Sequence, residues 1–284
     1  MIYDDTRCWL GEGPIWHPKR QQLYWFDIVG GHLHTREEGA TRTWDLGENA
    51  SAAGWVDDTS LLVATETRLL HLNVENGARE DVVPLEADRE ETRCNDGRAD
   101  PWGGFWIGTM HKRTRTPDGT IYRYYRGELR PLMDGITIPN AMCFAPDRST
   151  ITFVDTIDNK IKKMPLDPTN GWPSAAPEDW LDLSGEAWGV DGAVQDADGN
   201  LWLARWNGWG MNCYAPDGTL LREVAIEAAH CSCPAFGGPD LTTLFCTTAD
   251  GRVTDEDRAR SDKHGMVHKF EDMPKGQAEH QVIL

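Results

Sequence analysis

From Glu12 to Asp27 the chain reads EGPIWHPKRQQLYWFD: an apolar run, a polar turn at Pro18, then a second run rich in aromatics. The pattern returns at Ala52–Thr65, Asn95–Thr109, Asn140–Asp155, Asp191–Trp206 and Cys233–Thr248. Copies spaced by roughly 40 to 50 residues predict an internal repeat. Each copy is followed by a third short segment, as at Gly31–Arg36, Arg68–Asn73, Gly119–Tyr124, Asn159–Met164, Gly210–Tyr214 and Gly265–Phe270. A fourth, such as Thr43–Leu46, Arg130–Asp134 or Glu178–Leu183, precedes the next copy. Four strands per unit, joined by PDG, ADG and NG turns, predict an antiparallel blade. Repeated six times, the unit predicts an all-β, six-bladed β-propeller with four antiparallel strands per blade, whose radial repetition protects the strand edges. Thr6–Leu10 is expected to complete the last blade beside a strand within 265–271, with the polar stretch from Asp250 to Lys263 as a surface loop or short helix. No stretch reads as a linker, so residues 1–284 are expected to form a single domain.

The repeat also sets a register. Counting back six positions from the turn residues Pro18, Asp58, Pro101, Pro146, Ala197 and Pro239 lands on Glu12, Ala52, Asn95, Asn140, Asp191 and Cys233. In a propeller, equivalent positions lie on a ring, so Glu12, Asn95, Asn140 and Asp191 are expected to converge at one channel mouth. Two carboxylates and two amides offer oxygen donors suited to a hard divalent cation. Glu12, set between Gly11 and Gly13, is thereby expected as a ligand rather than a solvated turn residue.

Composition narrows the partners. A formal net charge of −18 argues against nucleic acid, which requires a basic stripe. No apolar run reaches the roughly 18 residues of a membrane span, and Met1–Asp5 lacks the pattern of a secretory signal, so a cytoplasmic protein with no membrane partner is expected. The seven cysteines are odd in number and form no zinc-type pairs, which suits a reducing compartment. The GxSxG elbow, HExxH and P-loop patterns are absent, which turns the reading away from covalent serine chemistry. The thirteen tryptophans are expected mainly as packing between blades.

Several motifs together resemble the regucalcin (senescence marker protein), gluconolactonase and luciferin-regenerating-enzyme family. They are LGEGP from Leu10, RCNDG from Arg93, GTM from Gly108, GTIYR from Gly119, IPNA from Ile138, FVDT from Phe153, DGAVQDADGNLW from Asp191 and FGGPDLTTL from Phe236. The resemblance spans nearly the whole chain. It implies a divalent metal on Glu12, Asn140 and Asp191, calcium first among calcium, zinc, manganese, magnesium and iron(II). It further implies substrate binding by Arg93 and Asn95 and a catalytic base at Asp191, in a metal-dependent hydrolase opening a sugar lactone (aldono- or aldaro-) to the free acid. Val190, where relatives often carry Pro, and Cys233, where an Asn-like residue is common, depart from the family pattern without removing a ligand.

The run from His111 to Arg115 (HKRTR) is unusual in so acidic a chain. It links the second and third strands of the unit that supplies Asn95, so Lys112 and Arg113 are expected above the site as contacts for a lactone bearing a second acidic group. The bland alternative is that they pair with surface acids. Two other functions stay open: an aryl-esterase or organophosphate hydrolase on the same metal site, and a noncatalytic calcium-binding propeller. The resemblance implies a small-molecule lactone as partner, and the protein is expected as a monomer or small homo-oligomer.

Overall fold

A computed structural model describes residues 1–284. Its strands alternate with tight turns in the order set by the repeat. The first unit is β2 (Gly11–His17), β3 (Gln22–Asp27), β4 (His32–Glu37) and β5 (Ala40–Asp45), preceded by the short β1 (Ile2–Asp4). The second is β6 (Ala50–Trp55), β7 (Ser60–Thr65), β8 (Arg68–Asn73) and β9 (Arg79–Pro84). The third is β10 (Thr92–Ala99), β11 (Phe105–His111), β12 (Gly119–Tyr125) and β13 (Glu128–Ile136). Then come β14 (Pro139–Phe144), β15 (Thr150–Asp155), β16 (Lys160–Pro165) and β17 (Glu178–Asp182). The last strands are β18 (Gly189–Gln195), β19 (Leu201–Trp206), β20 (Gly210–Tyr214), β21 (Leu220–Ala225), β22 (His230–Gly237), β23 (Thr243–Ala249) and β24 (Val267–Phe270). The innermost strands β2, β6, β10, β14, β18 and β22 touch in succession, and β22 returns to β2, closing a ring.

The sheet count corrects the expected six blades. Four separate four-stranded sheets, β2–β5, β6–β9, β10–β13 and β14–β17, are joined by a single eight-stranded sheet holding β18–β24 and β1. The fold is all-β and propeller-like, but its last strands do not divide into two blades. The cause is local: the end of β19 bridges the start of β22 at Trp206 and His230, whose rings stack flat, centroids 4.2 Å apart. The terminal strand is corrected too. Ile2–Asp4, not Thr6–Leu10, pairs with β24. In the polar stretch that follows β23, a single helical turn and a half, α1 (Asp255–Arg260), is capped by Thr254.

Aromatic wedges fill the space between sheets. Trp25, Trp106 and Trp202 are fully buried; Trp106 meets Phe144 and Trp202 meets Phe236 edge to face across neighbouring units. Rings of this size bury roughly 150–250 Å² each, so together they supply much of the hydrophobic stabilisation. The turns beneath them are built on two buried aspartates. Asp100 accepts from the backbone N–H groups of Trp102 and Gly104 (2.8 Å each), from Trp106 Nε1 (3.1 Å) and from Arg123 Nε (2.7 Å). Asp196 repeats the scheme with Asp198, Asn200 and Trp202. Arg123 is fully buried, lies over the Tyr125 and Trp172 rings, and has Asp100 as its ion partner. Asp100→Ala leaves that guanidinium buried without its counter-charge and is expected to cost about 3–5 kcal/mol, read from denaturant unfolding. An unchanged midpoint would show that the aromatic rings alone hold Arg123.

Beyond β24 the chain crosses the ends of the sheets as an extended tail. Gly276 N donates to the Leu241 carbonyl, Ala197 N to that of Lys275, Val282 N to that of Trp55 and Ile283 N to that of Gly103, at 2.8–2.9 Å. Gln277 Nε2 reaches the carbonyls of Phe144 (3.2 Å) and Gln195 (3.3 Å), and Trp55 Nε1 donates to the Glu279 carbonyl (2.9 Å). No helix of the chain is long and apolar enough to cross a membrane.

Candidate active site

The ring positions predicted by the repeat sit at bulges. In each inner strand the pairing with its neighbour slips there, between Glu12 and Ile15, Cys94 and Gly97, Asn140 and Cys143, and Val190 and Ala193. A bulge breaks the strand's alternation and re-aims a side chain. In β2 the device needs glycine: Gly13 has φ +51°, and a Cβ there would lie 2.0 Å from the Ser51 carbonyl oxygen. Its freed N–H donates to Glu12 Oε2 (3.0 Å). The two glycines around Glu12 therefore serve to turn and hold its carboxylate.

Glu12, Asn95, Asn140 and Asp191 are all buried, at 9%, 8%, 3% and 6% exposure. A chain of hydrogen bonds links the third, fourth and fifth units around the mouth. Arg93 Nη1 donates to Asn95 Oδ1 (2.8 Å) and to the Cys94 carbonyl (2.7 Å). Asn95 Nδ2 donates to Asn140 Oδ1 and to the Pro139 carbonyl (2.9 Å each). Asn140 Nδ2 donates to Thr156 Oγ1 (2.9 Å), which donates to the Val190 carbonyl (2.8 Å), one residue before Asp191. The Thr156 bond fixes the Asn140 amide with its oxygen toward Asn95. Asp27 and Asp155 hold the approaches: Asp27 accepts from the N–H groups of Trp9 and Leu10, Asp155 from those of Thr137 and Ile138.

Asp96, unpredicted from the sequence, joins this group. Its carboxylate accepts from Gly97 N and, across the channel wall, from Met142 N (2.8 Å each). Strand alternation sends neighbours to opposite faces, so a site at Asn95 argues against one at Asp96; the bulge between Cys94 and Gly97 removes that constraint. The signal available was the acidic residue inside RCNDG.

The electrostatics are those of crowded anions. Burial, then the Asp96 charge, pushes the Glu12 carboxyl up to about 8, against the pull of the Gly13 N–H and Arg93. Burial and the charges of Glu12 and Asp96 raise Asp191 well above the usual carboxylate range, with Arg93 opposing. Burial pushes Asp96 up to about 6. Burial also lowers Arg93. Like charges held this close resist ionisation together, which a cation relieves.

The donor set fits a hard divalent ion, with a condition. No three His, Cys, Asp or Glu side chains group at metal-holding spacing. Glu12 and Asp191 therefore require the Asn140 amide oxygen as a further donor, an all-oxygen set of the kind hard cations take. Cys233, at the sixth ring position, is buried and its thiol is pushed well up by burial and by the Asp96 and Glu12 charges, which keeps it protonated. All seven cysteines are free and buried.

The basic run follows β11, whose pairing of Met110 with Arg93 and of His111 with Thr92 puts the loop at the Arg93 end of the sheet. Lys112 does not stand free there. It pairs with Glu66 (2.9 Å) and donates to the Glu90 carbonyl (2.7 Å). Arg113 and Arg115 are exposed and make no ion pair, while His111 Nδ1 accepts from the N–H groups of Arg113 and Thr114.

A ring of inner strands with carboxylate and amide oxygens gathered at one end defines a class of propeller-like proteins with a channel-mouth site. Residues 10–250 match the SMP-30/gluconolactonase/LRE-like region, and the chain belongs to that family. It is similar to a pentonolactonase of Haloferax volcanii, 34% identical over 97% of this chain and 95% of the relative. A 6-deoxy-6-sulfogluconolactonase of Pseudomonas putida is 31% identical over 84% of this chain and 83% of the relative. The crystal structure of a calcium-binding protein, regucalcin, from Agrobacterium tumefaciens superposes with a TM-score of 0.97 at 34% identity, covering 100% of this chain and 97% of that one.

Proposed function

We propose that this chain hydrolyses a sugar lactone with one divalent cation, calcium first, held by Glu12, Asn140 and Asp191. The observation that carries the reading is the convergence of buried, charge-crowded carboxylates with the Asn140 amide, beside the donors of Arg93 and Asn95. The lactonase names of the relatives support the substrate class.

When bound, a divalent ion polarises an ester carbonyl and offsets the negative charge of its carboxylate ligands. The chain's own groups do the rest. Arg93 and Asn95, tied to each other, orient hydroxyl and carbonyl oxygens of the substrate. Asp191, kept ionised once the ion offsets the crowding of its neighbours, accepts a proton from the water that attacks the carbonyl carbon. As the ring C–O bond breaks, that proton passes to the departing ring oxygen. The product is the open hydroxy acid.

The test is a panel on chelator-treated protein reloaded with single divalent ions, offering neutral aldonolactones, acidic lactones, an aryl ester and a phosphotriester. Lactone opening is expected only in the reloaded protein. Activity indifferent to chelation, or confined to the aryl ester or phosphotriester, would overturn the reading. Ion binding with no turnover would favour the calcium-binding alternative, which the likeness to a calcium-binding protein supports. Because Lys112 is engaged by Glu66, any preference for acidic lactones is expected to rest on Arg93 and the exposed Arg113 and to weaken with salt. Equal, salt-independent rates on neutral and acidic substrates would leave residues 111–115 as a solvated loop.

A further inference from the structure

The extended tail brings a charge beneath the site. Glu279 enters the channel from the end opposite the mouth and pairs with Arg98 of β10 (3.2 Å), the two side chains only 8% and 12% exposed. Arg98 and Glu279 line one cavity with Asp96, Gly97, Gly13 and Cys233, directly under the carboxylates, and a second with Cys143, Gln195 and Gln277 farther down. Arg98 is therefore a mostly buried cation two residues from Asp96, on the same inner strand, and its fixed partner comes from a distant part of the chain. Asp96 makes no ion pair at contact distance; its oxygens are held by backbone N–H groups, and the Arg98 charge acts on it only through space. The tail is anchored on both sides of Glu279, by Gln277 to the carbonyls of Phe144 and Gln195 and by the Val282 and Ile283 N–H groups to those of Trp55 and Gly103.

We infer that the C-terminal tail is the floor of the active-site channel, and that Glu279 is a positioning residue that holds the Arg98 guanidinium down and away from the carboxylates that take the divalent ion. Without its partner, a buried guanidinium seeks the nearest uncompensated anions, which here are those of Asp96 and, above it, Glu12 and Asp191. A cation placed there competes with a divalent ion for the same charge. The inference rests on the metal reading above and assigns to that site a residue that touches neither metal nor substrate.

Calorimetric titration of chelator-treated protein with Ca²⁺ and Mn²⁺, alongside thermal melts, tests it. Wild type is expected to bind one ion. Glu279→Gln, which keeps the shape and removes the charge, is expected to weaken binding about tenfold or more. The double substitution Arg98→Met with Glu279→Met, which removes both charges, is expected to melt near wild type, as exchanges of buried pairs for apolar side chains often do, and to restore the affinity. A role confined to stability predicts instead that Arg98→Met alone, which also breaks the pair, weakens binding as Glu279→Gln does. Wild-type affinity in Glu279→Gln overturns the inference and leaves the metal site standing, and so does lost affinity that the double substitution fails to restore. A wild type that binds no ion overturns the metal reading and this inference with it. Should Glu279→Gln not fold, Arg98→Met alone replaces it: binding at least as tight as wild type supports the inference, and weaker binding overturns it.

Discussion

Asp191→Asn, loaded with the same ion as wild type, is expected to open lactones 10²–10⁴-fold more slowly, the loss typical of removing a placed general base. The amide keeps an oxygen for the cation, so metal binding survives in part while proton acceptance does not. The loss should therefore appear mainly in kcat, with KM changed much less. The side chain sits in the bulge between Val190 and Ala193, on a strand tied to Asn140 through Thr156, so the isosteric change leaves its setting intact. Single-turnover measurement at saturating ion separates the steps. Near-wild-type turnover in the loaded variant would place the base elsewhere, with Asp96 the next carboxylate to examine.

Glu12→Gln is expected to raise the melting temperature of the metal-free protein while reducing the rise that the metal gives. The Glu12 carboxyl, ordinarily at 4.5, is pushed up to about 8 by burial and the Asp96 charge. A folded-state value above the unfolded one means stability that is fully present below about pH 4.5 and lost as pH rises through about 8. At pH 8 wild type thus carries a penalty on the order of a few kcal/mol, which glutamine does not. That corresponds to a gain of roughly 5–10 °C for a chain of this size. In wild type a saturating ion recovers the deficit, by about 2.7 kcal/mol at a hundredfold excess over Kd. Melts at pH 5 and pH 8, with and without ion, give the comparison. Equal metal-free melts at pH 8, or equal metal-induced shifts, would remove Glu12 from the ligand set.

Much of the architecture was readable because the repeat is written twice, in the alternation of each strand and in the turn that follows it. The six-residue count back from Pro18, Pro101, Pro146 and Ala197 works as a register because the bulges recur at the same place in the inner strands. What resisted reading was contact without pattern. Asp96 breaks the alternation that made Asn95 conspicuous. The merging of two expected blades rests on one bridge and one ring stack, Trp206 on His230. Ile2–Asp4 is too short to announce itself beside Thr6–Leu10. The tail from Gly276 to Ile283 has no period to detect, because it is held largely by backbone groups and single polar side chains scattered across the sheets. Lys112 shows the same limit in charge: a basic run reads as unusual, yet the partner that quenches its one lysine, Glu66, lies in a turn of another unit.

The return of β22 to β2 closes the inner ring on which the site stands. Glu12 lies near one end of the chain and Glu279 near the other, so bringing both to the channel requires contacts between distant parts of the chain. Loop-closure entropy must be overcome before such distant contacts give anything back, so folding is expected to be slow and the last contacts late. On the proposed metal reading, a chain whose ring has not closed is expected to present separate oxygen donors and to hold no ion. Ion uptake is then expected late in folding, which makes it a reporter of ring closure.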